Sequence, residues 1–350
     1  MFGFGSQKSI VGLDIGSSCI KAVELKKQKG DIHVAHLGVE RLGSDIVVDS
    51  MIVDSGSVSS AISKLFSERK FGSKLVATAV SGHSVIVKKI SMQTVPESEV
   101  PELLQTEAAQ YIPFDMNDVN LDYQVLTEDP NEPQMDVLLA AVKKDKILNY
   151  TNVLSLAGKI PEVVDIDAFA LQNCYEYNYE PSPTSTVALL NIGASVMNIN
   201  IVRGGIPLFT RDVSVGGNQY TDALQKELDL SFEDAERLKK GETLPSVTDE
   251  QKQQILRSVS DILTLEIQKT FDFFRATASG ENIQRIVVAG GTARVPGLVD
   301  LLREEFAMPV EELNPFRRVL INPGRHSDDQ IRDIAPRLVI AVGLALRSFD

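Results

Sequence analysis

The sequence predicts an α/β fold of two duplicated lobes around a cleft, with a smaller α/β unit inserted into the first lobe. Three observations carry this. Two hydrophobic strands far apart in the chain end alike, as Val11-Gly12-Leu13-Asp14-Ile15-Gly16-Ser17-Ser18 and as Val187-Ala188-Leu189-Leu190-Asn191-Ile192-Gly193-Ala194-Ser195. Each closes in Asp or Asn, adds an apolar residue and turns on Gly and small residues. The rhythm around both is strand, glycine turn, strand, turn, strand, the mark of an internal duplication. Residues 83–164 keep a different rhythm, βαββαβ in outline. A turn of this kind exposes backbone N–H groups to a phosphate without Cβ interference. Two in one chain predict halves that close on one nucleotide from opposite sides.

The elements follow in order. Residues 9–25 read as strand, turn and strand, with Ile10, Val11 and Leu13 before the turn and Ile20, Ala22, Val23 and Leu25 after it. A polar turn leads to a third strand over 33–42. Val58, Ala61, Ile62, Leu65 and Phe66 recur at helical spacing over 58–71. Residues 75–80 are a buried strand that stops at Ser81-Gly82. In the insert, strands are expected over 85–90, 121–126, 135–142 and 163–166, forming a small sheet with two helices. Those helices span 97–112, stopped by Pro113, and 143–157, closed by Gly158 and Pro161. A helix over 168–179 and a linker with Pro181 and Pro183 precede the second lobe. There the strands fall at 187–190, 198–202 and 207–215, and Gly216-Gly217-Asn218 starts a helix through Leu228. Two charged helices cover 231–240 and 249–278. A strand over 285–289 runs into Gly290-Gly291-Thr292-Ala293-Arg294. A helix over 298–306, a short strand over 309–311 and a last helix over 334–346 complete the chain.

The bulk composition narrows the function. With 350 residues, 43% hydrophobic and 24% charged, the chain suits a globular protein of about two domains. Its net charge of -13 argues against nucleic acid as a partner, which needs a basic face. Cys19 and Cys174 lie far apart without a CxxC neighbour, which argues against a disulfide framework or a zinc site. His33, His36, His83 and His326 show no ligand spacing. No apolar run approaches the roughly 18 residues of a membrane span. Residues 1–8 lack the apolar core of a signal peptide, and Phe2 and Phe4 read as a frayed terminus or, alternatively, as a contact to a membrane or partner. A cytoplasmic protein is expected.

These motifs resemble, in order and across the whole chain, those of the actin, heat-shock chaperone and sugar-kinase superfamily. The resemblance implies an actin-like, duplicated ribonuclease-H-type fold with two lobes around a nucleotide cleft. The βαββαβ insert is similar to that of the cell-division protein FtsA rather than to actin. Two segments look closer still to the type IV pilus assembly family PilM: Glu107-Ala108-Ala109-Gln110-Tyr111-Ile112-Pro113-Phe114 and Val164-Asp165-Ile166-Asp167-Ala168-Phe169-Ala170-Leu171. No amphipathic helix of the FtsA kind follows residues 334–346, which also leans away from FtsA. The resemblance implies a first lobe (IA) of residues 1–82, 165–184 and 326–350, and an insert (IC, an SHS2 domain) of 83–164. The second lobe (IIA) is 185–229 with 280–325, and a helical subdomain (IIB) is 230–279.

The same resemblance implies the site. ATP or ADP with Mg2+ is the expected ligand. Asp14 should reach the metal through water, as a hard oxygen ligand; alternatively it caps its own turn. Gly16, Ser17 and Ser18 should contact the β- and γ-phosphates, and Gly193, Ala194 and Ser195 should grip them from the other half. Lys21 either reaches a phosphate as a point charge or is a solvated surface lysine. Gly216, Gly217 and Asn218 look like the family's ribose-phosphate turn, opening a helix whose N-terminus favours anions. Glu236, Lys239 and Lys240 either hold the ribose and adenine edge or form a surface ion pair. Gly290, Gly291, Thr292 and Arg294 should border the adenine and the α-phosphate, with Arg294 stacking on the base. Asn191 departs from the pattern, because many relatives carry Asp there. Metal binding and phosphoryl-transfer stabilisation should both weaken. No water-activating Gln stands at the start of the helix at 168–179, where Asp167-Ala168-Phe169 stand instead; Asp167 is the nearest candidate for that role, or alternatively the helix N-cap. ATP binding with slow or absent hydrolysis is expected.

For partners, the resemblance implies the cytoplasmic N-terminal peptide of PilN, bound between the first lobe and the insert, and other proteins of the pilus platform and motor. Residues 44–54, 85–90 and 102–112 should line that groove. Met92, Tyr111 and Phe114 are apolar candidates there, though each singly reads as core. Membrane association is expected only through the partner, since anionic headgroups repel an acidic protein. Twitching motility is a use of such a machine, and a homo-oligomer or ring stays open. An FtsA-like filament former is the alternative, and a sugar kinase or ATPase of the same fold a further one.

Overall fold

Two sheets repeat one plan in this computed structural model, which describes residues 9–126, 129, 132–278, 280–321 and 328–349. Phe2, Phe4 and His326 lie outside the described residues. In the first lobe, β1 (Val11–Ile15), β2 (Cys19–Gln28) and β3 (Asp31–Arg41) form an antiparallel run. A hairpin of β4 (Val47–Val48) and β5 (Met51–Ile52), then helix α1 (Ser55–Arg69), lead to β6 (Leu75–Val80), which lies parallel to β1. Asp54 caps α1 by accepting from the Ser57 N–H at 2.9 Å.

The insert holds β7 (Val85–Gln93), α2 (Val100–Ala108), β8 (Val119–Val125) and β9 (Gln134–Lys143). Its sheet has three strands in the order β7-β9-β8, covered on one face by α2. Helix α2 is shorter than expected: Glu97–Glu99 form a tighter 3-10 turn before it, and the chain turns again after Ala108. The chain then returns through α3 (Lys144–Leu156), β10 (Ile160–Ile166) and α4 (Asp167–Tyr179).

Here the expected small sheet with two helices is corrected. Strand β10 pairs in parallel with β6, so it extends the first lobe's sheet, whose order is β10-β6-β1-β2-β3-β16. Helix α3 buries Tyr150, Val153 and Leu154 against a core that includes Val58 and Ile62 of α1. Apolar periodicity reveals that a strand is buried, not which sheet buries it.

The second lobe repeats the first. Strands β11 (Thr186–Ile192), β12 (Met197–Arg203) and β13 (Ile206–Val213) run antiparallel. Helices α5 (Gly217–Leu228), α6 (Phe232–Lys239) and α7 (Asp249–Thr277) precede β14 (Arg285–Ala289), which is parallel to β11 as β6 is to β1. Helix α8 (Leu298–Phe306) and β15 (Val310–Glu312) complete the sheet, ordered β13-β12-β11-β14-β15. The 29-residue α7 starts from a capping box between Thr248 and Gln251. The chain has already returned to the first lobe at β16 (Leu320–Ile321), which pairs with His33 and Val34, so this stretch leaves the second lobe before residue 325. Helix α9 (Asp328–Ile334), a 3-10 turn at Ala335–Leu338 and α10 (Val339–Leu346) follow.

The lobes meet on α4 and α10. Every residue of α10 is buried, as befits a helix that is apolar all round. Each buried Leu, Ile or Val there contributes about 1.5–3 kcal/mol. Glycines allow the approach: a Cβ at Gly12 would stand 2.0 Å from the Ala341 carbonyl oxygen, and one at Gly343 would stand 1.8 Å from that of Ala170. The resulting core joins strands of both sheets, including Val23, Leu25, Val187 and Val287.

Candidate functional site

The first glycine turn hangs between β1 and β2. Their antiparallel register sets Asp14 opposite Lys21, and the Lys21 ammonium lies 2.9 Å from an Asp14 carboxylate oxygen. Burial works against the charged lysine, but Asp14 outweighs it and holds the ammonium above the ordinary lysine range. The turn is closed by the Gly16 N–H donating to the Cys19 carbonyl at 3.1 Å. A Cβ at Gly16 would come within 2.7 Å of the Lys21 nitrogen, so glycine keeps room for that cation. Lys21 is therefore a cleft residue, not a solvated one. Ser18 is exposed at the lip.

The second turn faces the first. The Ser195 hydroxyl donates to that of Ser17 at 2.8 Å. The Gly193 carbonyl accepts from the Gly217 N–H at 3.0 Å and from the Thr292 hydroxyl at 2.7 Å, and the Ala194 carbonyl accepts from the Asn218 N–H at 2.8 Å. The start of α5 thus braces the second turn. Two amides expected to face an anion are instead donated to Gly193 and Ala194. The glycines make this close approach possible. A Cβ at Gly216 would lie 2.6 Å from the Gly193 oxygen, and one at Gly217 the same distance from the Thr292 hydroxyl. Gly290, at φ +88°, passes so near β11 that a Cβ would meet the Ile192 oxygen at 2.3 Å.

At the rim, Glu236 accepts from the Thr221 hydroxyl at 2.6 Å and pairs with Lys239, while Lys240 stands 3.7 Å away. Lys239 also reaches Thr221 at 2.8 Å and the Gly217 carbonyl at 3.2 Å. Burial raises the Glu236 carboxyl, but bonds from Lys239 and Thr221 outweigh it and leave it below the usual range. The cluster is tied to the start of α5 and is more than a surface pair. Arg294 points elsewhere, to Glu312 at 3.3 Å and the Arg332 carbonyl at 3.4 Å. The cation over Gly291 is Arg337, whose stem and Nε would lie 3.5 Å from a Cβ there. Sequence reasoning missed it, because its position precedes α10 in sequence and carries no motif.

Three more charged residues interact near Asp14, of which sequence reasoning missed Asp212 and Lys146. Asp167 is the first residue of α4, but Ile166 holds the cap position and no side-chain cap bond forms, which corrects the N-cap reading. Its carboxyl meets Ser81, and burial together with the charge of Asp14 pushes it up to about 7. Asp212 reaches across the lobes: one oxygen accepts from Asn198 Nδ2 at 2.8 Å, the other from the Gly82 N–H. Lys146 is buried, bonds the Ser50 carbonyl beside Tyr150, and is pushed down to about 8 by burial. In sequence, Asp212 is one polar residue in an alternating strand and Lys146 one lysine in a helix. Asn191 donates from Nδ2 to Asn198 Oδ1 at 2.8 Å. Among the described residues, no three His, Cys, Asp or Glu side chains stand together as metal ligands. A single carboxylate such as Asp14 has the chemistry to hold magnesium through water, since that ion keeps several waters and takes one or two carboxylates besides phosphates.

In the insert, Met92 is core. The segment after α2 is pinned by two cations: the Lys88 nitrogen lies 4.6 Å over the Tyr111 ring, and that of Lys143 lies 4.5 Å over Phe114. Both rings are partly buried. No helix among the described residues is long and apolar enough to cross a membrane.

Comparison with known proteins places this geometry. The structure is similar to that of a PilM–PilN type IV pilus biogenesis complex, at TM-score 0.87 and 28% identity over 97% of this chain and 98% of that one. MreB5 of Spiroplasma citri bound to ADP shares the fold at TM-score 0.56 and 14% identity, covering 96% of this chain and 94% of that one. Among curated proteins, cell division protein FtsA of Streptococcus pneumoniae serotype 2 is 24% identical, covering 89% of this chain and 77% of its own length. FtsA of Pseudomonas aeruginosa is also 24% identical, covering 89% and 84%. The family model for type IV pilus assembly protein PilM matches residues 12–349, and the chain belongs to that family.

Proposed function

We propose that this chain is a cytoplasmic, nucleotide-binding scaffold of the type IV pilus inner-membrane platform that holds the cytoplasmic N-terminal tail of PilN and helps link the platform to the motor. The observation that carries the nucleotide reading is the facing of the two glycine turns, Ser17 to Ser195 at 2.8 Å, above the Asp14–Lys21 pair. A polyphosphate would displace the Ser17–Ser195 bond and take the hydroxyls of Ser17, Ser18 and Ser195 and the Lys21 cation, with Asp14 reaching magnesium through water. The Glu236–Lys239 pair and Arg337 border the space a ribose and base would take. The partner reading is supported by likeness to the PilM–PilN complex. With a net charge of -13, attachment to anionic lipid is disfavoured, so the membrane link runs through the partner.

Turnover is proposed to be slow. Asn191 carries no charge, and its amide is engaged by Asn198. Asp167 is the cleft carboxyl whose proton affinity suits a general base, so residual hydrolysis would depend on it. The test is calorimetry of the full chain with a synthetic PilN N-terminal peptide, with and without ATP and magnesium. Binding supports the scaffold reading. No binding under any condition overturns it, and sedimentation in ATP then tests the FtsA-like alternative that the two FtsA relatives favour.

A further inference from the structure

The insert leaves the first lobe at Gly82, whose φ of +90° lies in the left-handed region. This residue turns the chain into β7, and it is gripped by the opposite lobe. Its N–H donates to Asp212, which lies on β13. The other Asp212 oxygen takes the Asn198 amide at 2.8 Å, and Asn198 in turn accepts from Asn191 at 2.8 Å. Asn191 stands on β11 two residues before Gly193. A line of hydrogen bonds therefore runs from Asn191, at the strand end that carries the second glycine turn, to the base of the insert. Asn191 uses its donor, Asn198 one donor and one acceptor, and Asp212 both oxygens. Asn198 is buried, so no water replaces a broken link without cost. Under Gly82 lies Ser50, whose hydroxyl would stand 3.4 Å from a Cβ there and whose carbonyl is fixed by Lys146 and Tyr150. Beside it, Ser214 and His83 make a long contact at 3.5 Å.

We infer that Asn191, Asn198 and Asp212 form a relay that couples occupancy of the second glycine turn to the seating of the insert at Gly82. This rests on the nucleotide reading above. A ligand that shifts the end of β11 changes the Asn191–Asn198 bond, and the line carries that change to Asp212 and the insert's turning point. Coupling of this kind is a difference in ligand affinity between two seatings of the insert, and it is reciprocal.

The test is amide hydrogen exchange over residues 82–93 of the full chain, with and without ATP and magnesium, alongside calorimetric nucleotide binding. The unsubstituted protein should change exchange there by about 5-fold or more on binding. Asp212→Ala should bind nucleotide and lose that change. Asp212→Asn keeps the side-chain shape, guards against a folding defect, and should lose it too, since an amide cannot accept at both positions. Ser214→Ala should keep it. Nucleotide binding to the unsubstituted protein with no change over residues 82–93 overturns the relay and leaves the site reading standing. A full change in folded Asp212→Ala also overturns it. No nucleotide binding by the unsubstituted protein overturns both.

Discussion

Ser17 and Ser195, 178 positions apart, share a hydrogen bond of 2.8 Å that joins the two glycine turns across the cleft. It is the point where the duplication closes on itself, since β1 and β11 each deliver their turn to the same spot. A neutral bond of this kind has a net worth of about 0.5–1.5 kcal/mol. Ser17→Ala and Ser195→Ala should each lower stability by an amount in that range, and the double variant by less than their sum. A double-mutant cycle from urea unfolding reads the coupling. Strictly additive losses would show that the two hydroxyls do not interact in solution.

The packing of α4 on α10 makes a sharper demand. Gly343→Ala places a Cβ on the Ala170 backbone oxygen, which cannot rotate away, so about 3 kcal/mol or more should be lost. Gly158→Ala is the contrast. Its φ is +69° with nothing within 4 Å, and it should cost only the left-handed penalty of about 1 kcal/mol. Equal losses in denaturant melts would contradict the wedged arrangement of α10.

These glycines show what the sequence could reveal. The strand ends at Asp14 and Asn191 and the turns after them follow from local pattern, as do β6, β14 and α8, whose bounds match the expectation. Pairing across the chain does not leave a local trace. The place of β10 beside β6, and the reach of Asp212 to Gly82, depend on which sheet edges meet. The motif predicts Arg294 over the base, but Glu312 of the neighbouring strand β15 draws it aside and Arg337 covers Gly291. Motifs name backbone shapes well and long flexible side chains poorly.

Asp167 should make stability depend on pH. Its carboxyl is pushed up to about 7 in the fold, against 3.8 ordinarily. Between about pH 4 and pH 7, the folded chain keeps a proton that the unfolded chain has lost. The favourable contribution is thus complete below pH 4 and is lost as pH rises to 7. Asp167→Asn keeps the shape and removes the charge. At pH 8 it should be more stable than the unsubstituted protein by about 1–2 kcal/mol, allowing for screening by cleft water. Near pH 4 the difference should vanish. Urea unfolding at both pH values checks this, and a difference that does not vary with pH would refute it.

Asn191→Asp tests whether the departure from the superfamily pattern is a simple loss. A carboxylate at 191 would face the Asn198 oxygen at the present 2.8 Å, acceptor against acceptor. Asn198 cannot turn its amide around without withdrawing the donor from Asp212. The substitution therefore leaves one acceptor unsatisfied near a buried residue, at a cost of about 1–3 kcal/mol. Phosphate release should not rise, because the added charge disrupts the strand pair that positions the turn. Pairing Asn191→Asp with Asn198→Ser removes the clash, and in that background magnesium affinity should increase. If Asn191→Asp alone raises turnover at unchanged stability, Asn191 is a replaced catalytic carboxylate rather than a structural amide fitted to Asn198.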